Sequence, residues 1–215
     1  MAFLELVLTG ELERKDERRV TTMLKLSGLP PGKTFEGFDF GFQPRVDRRR
    51  IEALATCSYI REKTNVLFLG PPGTGKTFVA CALGHAACRH GFTVRYLRLP
   101  RLLGELAVAR SDGSYGKLMQ TLARTDLLVL DDWGLAPLGD RERRDLLEVI
   151  EDRTGRRATL VTSQLPVDHW HELVGDPTFG DAILDRLVHH AHRITLTGGS
   201  LRRLTTDVPP TTTDD

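Results

Sequence analysis

The chain has 215 residues, 40% of them hydrophobic and 27% charged, with 30 Lys and Arg against 29 Asp and Glu. That apolar share supports a real core and excludes wholesale disorder, and the length suits one full domain plus a small extra piece. A formal net charge of +1 neither requires nor excludes a nucleic-acid partner, although Arg48, Arg49 and Arg50, and further on Arg202 and Arg203, concentrate positive charge locally.

Residues 3–27 read as a helix in which Leu12, Val20, Leu24 and Leu26 lie among the dense charges of ELERKDERR. The opening residues carry no basic region before their apolar run and no cleavage pattern, so they do not form a secretory signal. No stretch approaches the ~20 apolar residues of a membrane span. The three cysteines, Cys57, Cys81 and Cys88, show no CxxC spacing and are expected to be buried, reduced thiols of a cytoplasmic protein. SGLPPGKT at 27–34 stops the first helix, because Pro30 and Pro31 cannot continue it and Gly28 permits a turn. An aromatic stretch, FEGFDFGF, follows at 35–42, and a second helix is predicted from Pro44 to about Ile60.

From there, apolar runs alternate with helical stretches: VLFLG (66–70), TVRYL (93–97), LLVLD (127–131), TLVTS (159–163) and RITLT (193–197). Near-continuous apolar runs suit parallel strands covered on both faces. The expected fold is therefore α/β, a five-stranded parallel sheet between helical layers. The domain reading is a helical segment at 1–29, the α/β domain at 30–206 and a disordered tail at 207–215, where DVPPTTTDD has almost no apolar content.

GPPGTGKT, Gly70 to Thr77, fits G-x-x-x-x-G-K-[ST] between a predicted strand and the helix-compatible run FVACALGHAAC. The backbone of Gly70, Pro71, Pro72, Gly73, Thr74 and Gly75 would turn its amides toward phosphates, with Gly73 and Gly75 allowing the curl. The start of the helix at Lys76, Thr77 and Phe78 adds its partial positive charge. Lys76 would reach the terminal phosphates and the Thr77 hydroxyl would sit on Mg²⁺. These residues point to a nucleoside triphosphate with Mg²⁺ as cofactor, which the resemblance given below makes ATP.

LLVLDDWG places Asp131 and Asp132 at the carboxyl end of an apolar run, where ligands of open α/β sheets bind. Asp131 is expected to hold the magnesium through water and Asp132 to polarise the attacking water. The 93–97 run falls between the two motifs, in line with the P-loop subclass that has an extra strand between the two motif strands. TLVTSQLP ends in Thr162, Ser163 and Gln164, and either Ser163 or Gln164 could orient the water or the γ-phosphate. In GDAILDRLVHHAHRI, Arg186 lies off the apolar stripe and finds no carboxylate at helical spacing. It is read either as a solvated surface arginine or as an unpaired guanidinium that reaches a neighbouring subunit's γ-phosphate. His85, His90, His169 and His171 read as surface or packing residues rather than metal ligands, and Trp133 and Trp170 as packing residues.

Together GPPGTGKT, LLVLDDWGLAPL, ATLVTSQLP and DAILDRLVHHAHRITLTGGSLRR resemble the IstB-like ATPases over roughly residues 30–204. These are AAA+ P-loop NTPases of bacterial insertion sequences, relatives of the DnaC helicase loader and the DnaA initiator. The resemblance implies an ATPase that forms an ATP-dependent homo-oligomer on double-stranded DNA and helps the transposase of its insertion sequence to choose a target. It implies Lys76 and Thr77 as the Walker A pair and Asp131 and Asp132 as the Walker B pair. Ser163 and Gln164 take the sensor strand end, and Arg186 takes the arginine-finger position. The segment before Pro30 reads as a shortened N-terminal domain, and no full C-terminal lid is expected after residue 204. Arg101, Arg110 and Lys117, which the stretch at 98–118 places around a Gly- and Ser-containing loop, are the candidate DNA contacts, set against a solvated helical face. The alternatives are a DnaC-like helicase loader, a monomeric P-loop kinase of small molecules, and a nucleotide-dependent scaffold with negligible hydrolysis.

Overall fold

The structure is a computed structural model that describes residues 2–38, 40 and 47–198. All five apolar runs become strands: β1 Val66–Leu69, β2 Val94–Arg98, β3 Leu127–Trp133, β4 Ala158–Ser163 and β5 His192–Thr195. They form one parallel sheet in the order β2-β3-β4-β1-β5. The three central strands are buried almost throughout and the two edge strands only partly. Continuous apolar runs are what a strand needs when both of its faces are covered.

The side-chain alternation of the strands divides the interior into two cores. Val66 and Phe68 of β1, Leu127 and Val129 of β3, and Ala158 and Leu160 of β4 face one layer of helices. That layer contains the end of α1 (Ala2–Ser27), α2 (Arg48–Ala55), α3 (Ser58–Arg61) and α4 (Lys76–Arg89). Leu67, Leu69, Leu128, Leu130 and Val161 face the other. There lie α5 (Leu99–Asp112), α6 (Tyr115–Arg124), α7 (Asp140–Arg153), α8 (Trp170–Val174) and α9 (Pro177–Val188).

Two expectations are corrected by this topology. The strand inserted between the two motif strands is β4, which pairs with both β1 and β3, whereas the 93–97 run forms the edge strand β2. Position in the chain is not position in the sheet, because a crossover helix can carry the chain over two strands. The helix predicted from Pro44 to Ile60 is two helices, broken at Cys57, whose φ of 61° is left-handed. Its predicted start lies outside the described residues, as do Arg202, Arg203 and the 207–215 tail.

The long first helix packs through its second half: Met23 and Leu24 meet the core, while Leu26 is 78% exposed. The chain then crosses α4 so closely that a Cβ at Gly84 would touch the Leu29 side chain. His85 bonds the Pro30 carbonyl across 3.1 Å, and Trp133 stacks on Trp170 at 4.9 Å between centroids, so these residues serve packing. No helix among the described residues is long and apolar enough to cross a membrane.

All three cysteines are buried and outside any disulfide. Burial pushes the Cys57 and Cys88 thiols up to about 11 and Cys81 up to about 12. The thiolate is the reactive form, so the native protein is expected to leave an aromatic disulfide reagent untouched at pH 8. The denatured chain should titrate all three thiols. Rapid labelling of the native protein would contradict this packing.

Candidate nucleotide site

The site lies where the central strands end. β1 runs into the loop Gly70–Gly75, and α4 begins at Lys76. A Cβ at Gly70 would collide with the Leu196 carbonyl oxygen, and Gly73 and Gly75 have φ of 83° and 93°, which explains glycine at these points. Lys76 is 7% exposed, and its Nζ donates to the carbonyls of Gly70 at 2.6 Å and Pro71 at 2.8 Å. The lysine therefore lies along the inside of the loop, over the space that phosphates would enter. Thr74 Oγ1 donates to the Pro71 carbonyl, which tightens the turn. Phe78 packs on Phe38 at 5.4 Å between centroids and also lines the cavity at this site.

Asp131 is 2% exposed, and its carboxylate accepts three hydroxyl protons. Thr77 donates at 2.9 Å, Tyr96 at 2.7 Å, and Thr162 also donates. Burial, and then the hydrogen bond to Asp131, hold the Tyr96 phenol well above its ordinary range, so it stays a donor. A buried carboxylate requires such partners. The sequence reading missed Tyr96 and gave Thr162 no role of its own. Nothing local marks them, since they sit 35 and 31 residues from Asp131 in the chain.

Asp132 behaves differently. The β3–β4 register shifts between Leu130 and Trp133, and Asp132 takes a left-handed φ of 60° in that irregularity. Bulges of this kind re-aim a side chain. Its amide donates to Thr162 Oγ1 at 3.2 Å, and its carboxylate accepts from Arg98 Nε at 2.5 Å. Arg98, at the end of β2, is a second partner absent from the sequence reading.

A cavity of about 250 Å³ joins these parts. Lys76, Thr77, Asp132 and Gln164 line it, together with Lys33 from the segment after α1. Lys33 was read only as part of a helix-stopping stretch. Ser163 also borders the cavity but is fully buried. Its hydroxyl donates to the Trp133 carbonyl at 3.0 Å and accepts from Leu165 N–H at 3.1 Å. Gln164 is exposed, with its side chain on the cavity.

The Thr77 hydroxyl and the Asp131 carboxylate converge as an all-oxygen donor pair, the kind Mg²⁺ takes together with phosphates and water. A site of that kind needs no cluster of three acidic or imidazole ligands, and none occurs among the described residues.

Arg186 is not unpaired. Its guanidinium donates to Glu151 of α7 at 2.7 Å and to the Ala182 carbonyl at 2.8 Å. Helical spacing along α9 could not show this carboxylate, because it comes from another helix. The Arg186 carbonyl accepts from Asn65 Nδ2 at 3.0 Å, immediately before β1, whereas the phosphate loop begins after β1. Five residues of extended chain separate the two ends by roughly 16 Å, more than one side chain spans. The structure thus leaves Arg186 away from its own chain's loop.

In the 98–118 stretch α5 and α6 are joined by a tight turn at Gly113 and Ser114. Arg101 pairs with Glu105 at 3.1 Å. Arg110 donates to the buried Asp145 at 2.9 Å and lies 3.7 Å from the centre of the Tyr115 ring. Lys117 is exposed.

Comparison with known proteins agrees with this geometry. The profile of the IstB-like ATP binding protein family matches residues 1–207. The insertion sequence ATP-binding protein y4pL of Sinorhizobium fredii is 48% identical over 201 residues, covering 94% of this chain and 82% of the relative. The insertion sequence IS21 ATP-binding protein of Pseudomonas aeruginosa is 35% identical over 200 residues, covering 93% and 76%. Among solved structures, the DnaC helicase loader superposes with a TM-score of 0.60 at 20% identity, over 69% of this chain and 87% of that one. AMPPCP-bound DnaA from Aquifex aeolicus gives 0.65 at 18%, over 79% and 51%. At these identities the likeness is one of fold. A phosphate loop, a buried carboxylate beside it and this profile across nearly the whole chain lead to one conclusion: the protein belongs to the IstB-like ATP-binding protein family of insertion sequences.

Proposed function

We propose that this protein is an Mg²⁺-dependent ATPase that assembles on double-stranded DNA as a homo-oligomer and assists the transposase of its insertion sequence in choosing target DNA. The observation that carries the reading is the division of the site: each chain holds a phosphate loop and two carboxylates, while its Arg186 sits at the far end of the sheet. A complete site then takes Arg186 from a neighbouring copy.

In this reading Lys76, Lys33 and the loop amides from Gly70 to Gly75 bind the phosphates. Thr77 and Asp131 would hold the magnesium, which when bound offsets phosphate charge. Thr77, Tyr96 and Thr162 keep the Asp131 carboxylate oriented. Asp132 leaves Arg98 to orient the attacking water and take its proton. Gln164 hydrogen-bonds the water or the γ-phosphate, and Arg186 of the next subunit stabilises the charge that develops on transfer.

The test is ATP turnover per subunit against protein concentration, with and without random duplex DNA. A rate that rises with both supports a shared site built on DNA. A rate flat in both would fit a monomeric P-loop kinase and sink the proposal.

The two sensor candidates separate by experiment. Gln164→Ala is expected to lower turnover by on the order of 10²-fold with unchanged thermal stability. Ser163→Ala should instead lower stability by ~1–3 kcal/mol, because it orphans buried backbone groups. If Ser163→Ala abolished turnover without moving the melting temperature, the roles would be reversed.

A further inference from the structure

The amino edge of the sheet, opposite the nucleotide site, carries a second feature. The turn after α3, the end of α6 and the α7–β4 turn converge on a cavity of about 410 Å³. Lys63, Arg124, Arg156 and Arg157 line it, with Asp152 as the single carboxylate. In a chain whose formal net charge is +1, four cations around one opening are a local concentration.

Tight turns fix these positions. Lys63 has a left-handed φ of 58°, its amide bonding the Ile60 carbonyl, while the amides of Arg156 and Arg157 both bond the Arg153 carbonyl. Arg157 lies 3.6 Å from Asp126, but among the described residues Lys63, Arg124 and Arg156 have no carboxylate within 4 Å. Basic residues at helix carboxyl ends offset the partial negative charge there, which accounts for Lys63 after α3 and Arg124 at the end of α6. At the end of α7 that place is already filled by Arg153, and Arg157 is held by Asp126 and the Arg124 carbonyl, so Arg156 is in excess. Arg153 itself is 1% exposed and donates to Leu122, Thr125, Ala158 and Thr159 with no carboxylate. Burial and then the positive charge of Arg157 pull it down to about 9.

The α5–α6 turn offers less. Arg101 and Arg110 are both paired with carboxylates of this chain, which leaves Lys117. Resting on the duplex-DNA reading above, we propose that the cavity formed by Lys63, Arg124, Arg156 and Arg157 at the amino edge of the sheet binds the phosphate backbone of duplex DNA. The contacts are to phosphates and carry no sequence preference. They also place the DNA at the opposite end of the sheet from the chain's own ATP, on the end that bears Arg186.

The test compares wild type with the triple variant Lys63→Ala/Arg124→Ala/Arg156→Ala, binding a fluorescent random 30-bp duplex in ATP and Mg²⁺ over a range of salt. Losing three phosphate contacts should flatten the slope of log affinity against log salt by about 2.7. Affinity at ~0.1 M salt should fall tenfold or more. Affinity for a fluorescent ATP analogue should stay at the wild-type value, which shows the variant is folded. If the triple variant does not fold, Arg156→Glu, on an exposed turn, is measured instead and should still weaken the duplex at least threefold. Wild-type binding with an unchanged affinity and slope in the variant would overturn this site and leave the DNA reading standing. A wild type that binds no duplex would overturn both. Lys117→Ala serves as the comparison, and a loss confined to it would return the contact to the α5–α6 turn.

Discussion

Arg186→Ala is expected to lower ATP turnover of the assembled protein by ~10³- to 10⁵-fold, the range for arginine fingers in phosphoryl transfer, with nucleotide affinity little changed. The variant should remain folded. The Arg186–Glu151 pair has side-chain exposures of 28% and 57%, and a partly solvated pair contributes ~0–1 kcal/mol. Mixing distinguishes a role in a neighbour's site from one at home. Lys76→Ala is expected to lose nucleotide binding but still to present an intact Arg186, whereas Arg186→Ala retains an intact loop. Each alone should be nearly inactive, and an equimolar mixture should regain measurable turnover. A mixture as inactive as its parts, or an Arg186→Ala protein as active as wild type, would remove the arginine from the site.

Asp132→Asn should lower turnover by ~10²- to 10⁴-fold, the contribution of a positioned general base, while ATP still binds and assembly on DNA persists. Asparagine is the informative replacement. It tolerates the left-handed φ of 60°, so the backbone of the irregularity survives, whereas alanine would add strain. The change also breaks the ion pair with Arg98, whose side chain is 59% exposed, and such a pair contributes at most ~1 kcal/mol. Thermal stability should therefore barely move while turnover collapses. A loss of both in proportion would make Asp132 a structural residue. Turnover that persists would instead fit a scaffold in which Asp132 has no chemical part.

What could be read along the chain was local. Each strand appeared as a short apolar run, because strands buried on both faces need apolar residues at successive positions. The phosphate loop was legible because its glycines, lysine and hydroxyl must be contiguous to wrap one phosphate group. Asp131 and Asp132 were legible for a related reason, since a carboxylate pair directly after an apolar strand has few structural uses. Their different surroundings were not. Asp131 draws hydroxyls from α4, β2 and β4, while Asp132 is turned by a register shift toward Arg98.

The sequence by itself determined the α/β class, the five strands and the place of the loop, all of which follow from periodicity and contiguity over a few residues. Only the tertiary structure decided which strand lies between the motif strands, and that Ser163 is spent on the backbone while Gln164 faces the cavity. It also brought Lys33 to the phosphate loop, gave Arg186 its partner in Glu151, and gathered Lys63, Arg124, Arg156 and Arg157 at the far edge. The physical reason is the range of the contacts. Asn65 reaches Arg186 across 121 positions and Thr162 reaches Asp131 across 31, and it is the packing of helices on a twisted sheet that makes such distant residues neighbours.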